Sequence, residues 1–448
     1  MGKWLSEVSA YLNAHRQQMV SDLFDLVRIP SIAGEKDGAL PFGKESDRAV
    51  RAAAKLFCDH GFAVKLCSED GYALAVSEGV GEGIGVFAHC DVVPVNEEDW
   101  TKTKPFAPIE ENGILYGRGV MDNKSGVVEA LYALLALRSA GVPLKNRVTV
   151  YLGGCEEAGM GDIAAFVEKE QMPAVSIVPD GSFPVGIGEK GILRVTCRSR
   201  DSFSNVVKLN GGKAFNVVLD HVQVALKNGE SFQVEGLPAH ASHPENGINA
   251  ALKAAQQLVE QVCDEDKKIL LAFAHAIEDC HGGNLHIASE GQFGKLTCAN
   301  GITRIEDGHL VFTLDIRYGT EMDGAECANR LRASLEALGF TMEINENKEG
   351  FLLDKSAPEL QIILNVCREL FNKPEAKPLR MSGGTYARML DNAYSIDNTP
   401  GPRVEGLPKG HGGAHQSDEA LSIESLLKGA ECLALMIARL DVYLKETV

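Results

Sequence analysis

Residues 146–162, NRVTVYLGGCEEAGMGD, join an apolar run directly to a pair of acids. The run 146–154 is rich in β-branched and aromatic residues and ends in two glycines, which predicts a strand buried on both faces. Glu156 and Glu157 follow at once. Adjacent carboxylates repel each other, and burial of either one without a partner is unfavourable or raises its pKa. The segment therefore predicts a positive partner at the strand end: a basic side chain, a proton or a metal ion.

Strands and helices alternate on both sides of this segment over the first 190 residues. Apolar runs at 83–93 and 174–181 predict two more buried strands. The stretch 123–141 has apolar residues at helical spacing and ends at Gly141, with Pro143 just beyond, which predicts a helix. Strands that alternate with helices predict an α/β domain with a largely parallel sheet.

The sequence changes in character between residues 191 and 382, where alternating strands of antiparallel type are separated by helical stretches. This pattern predicts an α+β domain inserted into the first domain. The α/β pattern returns at the end of the chain. We therefore predict an α/β fold with a mostly parallel sheet, built from residues 1–190 and 383–448, with an inserted α+β domain at 191–382.

The overall composition disfavours several classes of partner. The 448 residues carry a formal net charge of −18 and a pI near 5.2, so nucleic acid is not an expected partner. No apolar run approaches the roughly 20 residues of a membrane span, so a membrane is not expected either. Eleven cysteines are scattered without a C-x-x-C pair, which favours reduced thiols and a cytoplasmic location.

Acids and histidines fall where the predicted strands end. The loops at the carboxyl ends of parallel strands are where α/β folds build their sites, so we expect these side chains to meet in one crevice. They are His89 and Asp91 at the end of the strand in 83–93, Asp122 before the helix at 123–141, Glu156 and Glu157, Asp180 at the end of the strand in 174–181, and His415 in a late loop.

Mixed His, Asp and Glu ligands without cysteine suit a zinc, manganese or cobalt ion. Five ligands exceed what one tetrahedral ion needs, but they fit two ions about 3.5–4 Å apart that share a carboxylate. On this hypothesis one glutamate of the pair binds metal and its neighbour is a base. Each residue alone has a simpler interpretation: His89 as a structural histidine, Asp122 as a helix N-cap and Asp180 as a turn residue.

Six ordered motifs resemble those of the dimetal peptidase family that includes aminoacylase, carnosinase, succinyl-diaminopimelate desuccinylase and the bacterial PepV-type dipeptidases. The resemblance runs from LVRIPSI (26–32) to the last helix. SGGTYARML (382–390), DIRYGT (315–320) and the long insertion resemble the PepV-type group most. The six motifs are HCDVVP (89–94), GRGVMDNKSG (117–126), GCEEAGMGD (154–162), VPDG (178–181), PAHASHPENGINA (238–250) and AHQSDE (414–419).

The resemblance implies two divalent ions per chain, zinc in the first place and manganese or cobalt as alternatives. It also implies a cis peptide bond between Asp122 and Asn123. Five residues would be ligands, with one carboxylate shared: His89, Asp122 and Asp180 for one ion, and Asp122, Glu157 and His415 for the other.

The resemblance assigns further residues to catalysis and to substrate binding. Asp91 would orient His89 through its other ring nitrogen, and Glu156 would be the general base. His240, from the inserted lid domain, would polarise the scissile carbonyl oxygen. The ends of the substrate would be held by Asn216, Arg317 and Arg388.

Two cysteines depart from the family pattern. Cys90 follows His89, and Cys155 precedes the glutamate pair; either thiolate could bind zinc. Neighbours on a strand point to opposite faces, so we expect both thiols to face away from the ions. Two further histidines, His411 and His243, lie near the motif positions, but the motif spacing favours His415 and His240.

The implied activity is hydrolysis of dipeptides with both termini free, by a metal-activated water with Glu156 as base. A deacylase of N-acyl amino acids would use the same ions without a site for a free amine, and a carboxypeptidase would accept longer chains. A metal-binding module without catalysis is a third alternative, against which the intact Glu156 argues. The insertion of about 190 residues is longer than one typical lobe, which favours a two-lobed lid and a monomer.

Overall fold

The computed structural model describes residues 3–397, 399 and 404–447. The chain divides into two compact units. The first comprises Met1–Ile187, Leu353–Leu379 and Thr385–Val448, and the second comprises Gly188–Leu352 and Arg380–Gly384.

The described residues form α-helices and short 3₁₀ turns distributed over both units. The 3₁₀ turns are Glu97–Asp99, Pro244–Asn246 and Tyr386–Met389. The α-helices are α1 (Lys3–Ala14), α2 (Arg16–Val27), α3 (Lys44–Asp59), α4 (Lys124–Ser139), α5 (Gly161–Lys169), α6 (Ala250–Leu258), α7 (Asp264–Glu278), α8 (Gly324–Ala337), α9 (Pro358–Leu370) and α10 (Ile423–Thr447).

The strands, in chain order, are β1 (Ala63–Cys67), β2 (Tyr72–Val76), β3 (Val80–His89), β4 (Ile109–Glu111), β5 (Ile114–Tyr116), β6 (Asn146–Gly153), β7 (Val175–Val178), β8 (Gly186–Glu189), β9 (Gly191–Ser202), β10 (Val206–Asn210), β11 (His221–Leu226), β12 (Ser231–Glu235), β13 (Glu290–Gly291), β14 (Gly294–Lys295), β15 (Thr297–Glu306), β16 (His309–Tyr318), β17 (Phe340–Lys348), β18 (Phe351–Leu352), β19 (Leu379–Met381), β20 (Ala393–Ser395) and β21 (Ala420–Ser422).

The central sheet of the first unit has the strand order β1-β2-β6-β3-β7-β20-β8. Its four middle strands, β6, β3, β7 and β20, run parallel to one another. The flanking strands β1, β2 and β8 are antiparallel to their neighbours. The predicted α/β class with a largely parallel core of the sheet is confirmed. Consequently β6, β3 and β7 end at the same edge of the sheet.

Helix α4 is the helix on which the predicted site depends, because it starts directly after Asp122. Its residues from Lys124 to Leu137 are buried, as expected for a helix that is apolar on every side, and it packs against β3 and α10. Its first residue, Lys124, is also buried and donates to the carbonyl oxygens of Leu26 (2.9 Å) and Ile29 (2.8 Å). Those two hydrogen bonds satisfy the buried amine and fix the start of the helix.

The second unit is α+β. Strands β15, β16, β9 and β17 form an antiparallel sheet in that order, and β10, β11 and β12 form another. Helices α7 and α8 pack on β9, and α6 packs on β11. Buried side chains of both sheets and of the helices join one apolar core that includes Leu193, Phe312 and Leu331. Strand β16 is buried on both sides from Leu310 to Tyr318.

The predicted insertion at 191–382 differs from the second compact unit at residues 188–190 and 383–384 and over one long internal segment. Residues 353–379 were expected in the insertion at 191–382, but they belong to the first unit. The reason is the packing of α9, whose buried face includes Leu360, Ile363 and Leu364 and lies against α10. The predicted boundary was based on a change in the pattern of strands and helices along the sequence. Such a change does not show that a later helix packs in the core of the first unit.

None of the helices in the described part of the chain is both long and apolar enough to cross a membrane.

Candidate metal centre

The parallel strands of the first unit bring the predicted ligands together. His89 is the last residue of β3 and is paired in register with Gly153, the last residue of β6. Glu156 and Glu157 follow β6, and Asp180 follows β7 by two residues. Because β3 lies between β6 and β7, the imidazole of His89 lies in the middle of the group.

Within the described part of the chain, two sets of side chains have ligand atoms close enough to share an ion. One set is His89, Asp122 and Glu157, the other is His89, Glu156 and Asp180, and within each set the ligand atoms lie within 4.8 Å of one another. The Nε2 atom of His89 lies 3.1 Å from Oδ1 of Asp122 and 3.6 Å from Oδ2 of Asp180. The sets share His89, which places all five side chains in one cluster.

His415 completes the cluster from the late loop. Its Nε2 atom lies 2.9 Å from Oε1 of Glu157 and 3.1 Å from Oδ2 of Asp122. The carboxylate of Asp122 therefore directs one oxygen toward His89 and the other toward His415. This is the arrangement that a bridging ligand between two ions requires.

The geometry also decides between the two interpretations of Asp122. The N-cap position of α4 is occupied by Asn123, not by Asp122, and Asn123 makes no side-chain capping bond. The peptide bond between the two residues is cis, as the family resemblance implied. Both carboxylate oxygens of Asp122 face histidines, so the residue belongs to the cluster and not to the helix cap.

The cluster contains more carboxyl groups than histidines, so negative charge is in excess. Burial raises the pKa of Glu156 well above its ordinary value, and Asp180 and Glu157 raise it further. Burial, with a contribution from Asp122, raises the pKa of Glu157 to about 7. The two glutamates thus hold protons more tightly than they do in water, because negative charge is in excess around them. For Asp122 the hydrogen bonds to His415 and His89 outweigh burial and lower the pKa.

The histidines respond to the same charges. Burial alone lowers the pKa of His89, but hydrogen bonds to Asp122, Asp180 and Asp91 outweigh it and raise the pKa well above the ordinary value. For His415 the carboxylates of Asp122 and Glu157 overcome burial and raise the pKa to about 11. In this structure, protons on the two histidines therefore balance the negative charge of the carboxylates. Divalent cations bound at the same place would balance it instead.

Asp91 has a wider role than the sequence indicated. Its carboxylate is fully buried and accepts hydrogen bonds from the main-chain N–H groups of Glu156 (3.0 Å) and Glu157 (3.1 Å). The Nδ1 atom of His89 lies 3.4 Å from Oδ1 of Asp91, but it lies closer, at 3.0 Å, to the main-chain oxygen of the same residue. Asp91 thus ties the end of β3 to the glutamate pair.

Glu419 is a positioning residue that sequence reasoning used only to measure motif spacing. Its buried Oε1 accepts hydrogen bonds from the N–H groups of Gly119 (3.0 Å), Met121 (2.8 Å) and Asp122 (3.1 Å). Its Oε2 accepts from Nη1 of Arg118 at 2.6 Å. One carboxylate from the His415 loop therefore holds the loop that presents Asp122.

Asp162 has the equivalent role for the glutamate pair, and the sequence analysis missed it. Its Oδ2 accepts from the N–H groups of Gly154 (2.8 Å) and Cys155 (3.0 Å) and from the hydroxyl of Tyr386 (2.5 Å). The ring of Tyr386 lies edge-on to His89, with centroids 6.3 Å apart. This contact brings the segment that carries Arg388, two residues further along, beside the cluster.

The two cysteines of the site motifs are ordinary buried thiols. Burial raises the pKa of Cys90 and of Cys155 to about 12. The Sγ atom of Cys155 donates to the main-chain oxygen of Ala158 at 3.6 Å. His411 is also engaged elsewhere, since its Nδ1 lies 2.8 Å from Oδ2 of Asp418.

The predicted residues of the second unit lie near one another within that unit. His240 is bridged to Val217, and the N–H of Ala241 donates to the main-chain oxygen of Asn216 at 2.9 Å. Thr297 donates from its hydroxyl to the main-chain oxygen of Ala241 at 2.9 Å, and it is the register partner of Arg317. Asn216, His240 and Arg317 therefore belong to adjacent pieces of backbone.

Arg317 is less available than a substrate-binding arginine needs to be. Its side chain is 3% exposed. Its Nε and Nη2 donate to the two oxygens of Asp315, at 2.5 and 3.0 Å. The same carboxylate accepts from Nε of Arg194 at 2.9 Å. One edge of the Arg317 guanidinium group is thus occupied within the protein, which leaves the two N–H groups of Nη1 and the second N–H of Nη2 as donors.

A comparison of the sequence with known protein families assigns a family that is consistent with the fold and with the cluster. Residues 85–439 match the family model described as Peptidase family M20/M25/M40. The chain therefore belongs to this family of metallopeptidases. The predictions of a dimetal-type peptidase fold and of a metallohydrolase enzyme are confirmed at that level, and family membership implies binding of divalent metal and a peptide substrate.

Several individual proteins are similar over most of the chain. "Putative dipeptidase YtjP" of Bacillus subtilis is 27% identical over 468 residues, covering 95% of this chain and 97% of its own. A protein of Staphylococcus epidermidis that is also named as a dipeptidase is 25% identical over 436 residues, covering 88% and 91%. Among solved structures, human carnosine dipeptidase 1 has a TM-score of 0.68 at 16% identity, covering 98% of this chain and 99% of its own.

Proposed function

We propose that the protein is a metal-dependent dipeptidase that hydrolyses dipeptides with both termini free, using two divalent ions in the cluster around Asp122. The observation that carries the proposal is the position of that carboxylate, with one oxygen 3.1 Å from His89 and the other 3.1 Å from His415. The names of the relatives from Bacillus subtilis and Staphylococcus epidermidis support the choice of a dipeptide substrate.

The residues of the cluster fit a pair of divalent ions. Two neutral imidazoles and three carboxylates, from His89, His415, Asp122, Glu157 and Asp180, are the donors that zinc, manganese and cobalt accept. The raised pKa values of the glutamates indicate that positive charge is needed there. Of the three metals we propose zinc first, since tetrahedral sites of mixed nitrogen and oxygen ligands are typical of it.

Bound divalent ions would supply Lewis-acid chemistry at this position, by lowering the pKa of a water and by polarising the scissile carbonyl. Glu156 is the group that would accept and return the proton. Its Oε1 atom is buried and has no hydrogen-bond partner among the residues that the structure describes, so this oxygen is the one that would accept from a water. The main-chain N–H of Glu156 donates to Asp91 at 3.0 Å, which fixes the backbone of Glu156 beside the cluster.

The remaining predicted residues would bind the substrate. Arg388 belongs to the segment that packs beside His89 through Tyr386, which supports it as the partner of the substrate carboxylate. Because two nitrogens of Arg317 already donate to Asp315, we propose that Arg388 carries the larger share of carboxylate binding. Asn216 and His240, which lie on paired backbone segments, would contact the peptide unit, with His240 donating to its carbonyl oxygen.

A substrate panel tests the proposal. The purified chain is assayed, with zinc, manganese or cobalt added, on a dipeptide, on its N-acetylated form, on its amide and on the tripeptide extended by one residue. We expect turnover of the free dipeptide and a large loss for each blocked or longer form. Preference for the N-acetylated compound would make the protein a deacylase, and efficient cleavage of longer peptides would make it a carboxypeptidase.

Two further properties are part of the proposal. We propose that one chain supplies a complete active site and acts as a monomer, on the basis of the long insertion. We also propose a reducing, cytoplasmic location, which the thiol state of all eleven cysteines supports. Sedimentation of the active species and assay of fractionated cells would test the two properties separately.

A further inference from the structure

The histidine that the family resemblance places at the substrate carbonyl lies in a short polar cluster of the second unit. This cluster consists of His240, Ser242 and His243. The hydroxyl oxygen of Ser242 lies 2.7 Å from Nδ1 of His240 and 3.0 Å from Nδ1 of His243. One serine therefore joins the two imidazoles, each through the same type of ring nitrogen.

A main-chain contact fixes the direction of this chain of hydrogen bonds. The N–H of Ser242 donates to Nδ1 of His240 at 3.2 Å. A main-chain amide can only donate, so Nδ1 of His240 must present its lone pair. In a neutral imidazole one nitrogen is the acceptor and the other carries the proton. The proton of neutral His240 therefore lies on Nε2.

The direction of the other two bonds follows. If Nδ1 of His240 carried a proton, that proton would face the N–H of Ser242, a contact between two donors. The hydroxyl of Ser242 consequently donates to His240, and its oxygen accepts from Nδ1–H of His243. The chain of donation runs from His243 to Ser242 to His240, and every polar hydrogen in it has an acceptor.

The backbone that carries His240 is itself held in place. His240 is bridged to Val217 on the neighbouring segment. The following residue, Ala241, donates to Asn216 at 2.9 Å and accepts from the hydroxyl of Thr297 at 2.9 Å. With the main chain fixed on both sides, the two contacts from Ser242 determine the tautomer of the imidazole.

We propose that Ser242 and His243 are positioning residues that hold His240 as the neutral Nε2–H tautomer, so that the ring presents an N–H donor to the carbonyl oxygen of a peptide substrate. This inference rests on the proposed function, because that function supplies the carbonyl. A preorganised N–H donor stabilises the negative charge that develops on this oxygen in the transition state. The wrong tautomer would present a lone pair to the same oxygen and repel it.

The tautomer can be observed without any substrate. The full chain is labelled with ¹⁵N-histidine, and the ring nitrogens are recorded by long-range proton–nitrogen correlation at mildly alkaline pH, above the ordinary imidazole pKa of about 6.5. The His240 resonances are assigned by their loss in His240→Gln. We expect Nδ1 of His240 to resonate as an unprotonated nitrogen and Nε2 as a protonated one. The reverse pattern would overturn the proposal.

Two substitutions and a rescue separate positioning from general structure. Ser242→Ala removes the bridging hydroxyl, and His243→Phe removes its donor but keeps a ring. His243→Asn keeps an N–H donor near the position of Nδ1. His221→Phe is the matched control, since this histidine of the same unit is exposed and its Nδ1 atom lies 3.0 Å from Oδ1 of the neighbouring Asp220.

We expect Ser242→Ala and His243→Phe to raise the Nδ1–H population of His240 and to lower kcat on a dipeptide by about five- to tenfold, the effect of one neutral hydrogen bond, with KM unchanged. His243→Asn should restore both properties, and His221→Phe should change neither. If the tautomer of His240 is the same in all variants, the proposal is wrong, even where kcat falls. If the wild-type chain hydrolyses no dipeptide, the proposed function fails, whereas the tautomer spectra still decide between the two states of His240.

Discussion

The cluster around Asp122 in the first unit and the cluster around His240 in the second are built in opposite ways. In the first, His89 and Asp91 are 1% and 0% exposed, and main-chain N–H groups bind the carboxylates of Asp91, Asp162 and Glu419. In the second, His240 and His243 are exposed and are held by one serine between them. A buried charged group needs fixed hydrogen-bond partners to replace the water it has lost. An exposed imidazole is still hydrated and needs only a contact that fixes its orientation.

This contrast predicts how strongly each region responds to substitution. A buried carboxylate that has lost a partner has no water to replace it, so changes around Asp122 should be costly. An exposed group can exchange a lost hydrogen bond for one with water, so changes around His240 should be milder. The variants described next test whether substitutions around Asp122 cost more activity or stability than substitutions around His240, and by how much.

The largest effect is expected at the base. Glu156→Gln keeps the shape of the side chain but cannot accept a proton, so kcat should fall by about 10²–10⁴-fold while the bound metal is retained. Steady-state kinetics with metal analysis of the same sample measures both quantities. Glu168→Gln, an exposed acid of α5, is the control and should behave as wild type. Near-normal turnover in Glu156→Gln would show that another group is the base.

The second effect is on stability. It tests whether the second unit also contains a buried carboxylate, that of Asp315, whose loss is as costly as changes in the first unit. Burial raises the pKa of Asp315, but Arg317 and Arg194 outweigh burial and lower it overall. Asp315→Asn leaves the buried guanidinium group of Arg317 without its carboxylate and leaves Arg194 with Glu346 alone, so the free energy of unfolding at neutral pH should fall by about 3 kcal/mol. Urea denaturation measures the change.

The pH dependence of that difference has a definite sign. A lowered folded-state pKa stabilises the protein above the unfolded-state pKa of about 4, and this contribution is lost as the pH falls through the folded-state value. The gap between wild type and Asp315→Asn should therefore narrow in acid. Glu306→Gln, which removes an exposed partner of Arg304, should cost less than about 1 kcal/mol. Equal costs for the two variants would contradict the distinction.

The third effect concerns the carboxylates that position the ligands. Asp91→Asn weakens the link between His89 and the glutamate pair, and Glu419→Gln weakens the hold on the loop of Asp122. Each should reduce metal affinity by about 10–100-fold, as expected for groups that orient metal ligands. Competition with a metal-sensitive dye measures the affinity. Glu424→Gln, an exposed acid near the start of α10, is the matched control, and a similar loss in that variant would show that the effect is not specific.

The smallest effect, none at all, is expected from mixing inactive variants. If one chain supplies every residue of its site, a mixture of His240→Ala and Glu156→Ala should show no more activity than the separate samples. Exchange of subunits between two-chain sites would instead restore part of the activity. Clear recovery in the mixture would show that the cluster of one chain works with the histidine of another.

The sequence predicted the parts of this structure that follow a local period. The ends of β3, β6 and β7 were located by apolar runs; His89 is the last residue of β3, and Glu156 and Asp180 follow the ends of β6 and β7. Glu419 was out of reach as a positioning residue because it binds main-chain N–H groups about 300 residues away along the chain, and main-chain donors leave no trace in a sequence. Asp162 is hidden for the same reason, although it ends the motif that contains the glutamate pair.

The boundary at residues 353–379 was missed for a different reason. The amphipathic pattern of α9 shows that one face is buried but not which core buries it, and α10, against which it packs, is more than fifty residues further on. The position of Arg317 was likewise ambiguous, because the same motif supplies both the arginine and the buried Asp315 that binds it. A local sequence pattern predicts that a helix or a strand exists. The residues against which it packs depend on the fold of the whole chain.

The central claim is that the carboxylate of Asp122 holds two divalent ions at once. The most direct test is the number of ions bound per chain, measured by elemental analysis after dialysis, in the wild type, in Asp122→Ala and in the surface control Asp59→Ala, which lies at the exposed end of α3. We predict two ions in the wild type and in the control, and the loss of both in Asp122→Ala, because each histidine side of the cluster depends on one oxygen of this carboxylate. Full retention of one ion in Asp122→Ala, or a wild-type chain that binds only one, would contradict the account.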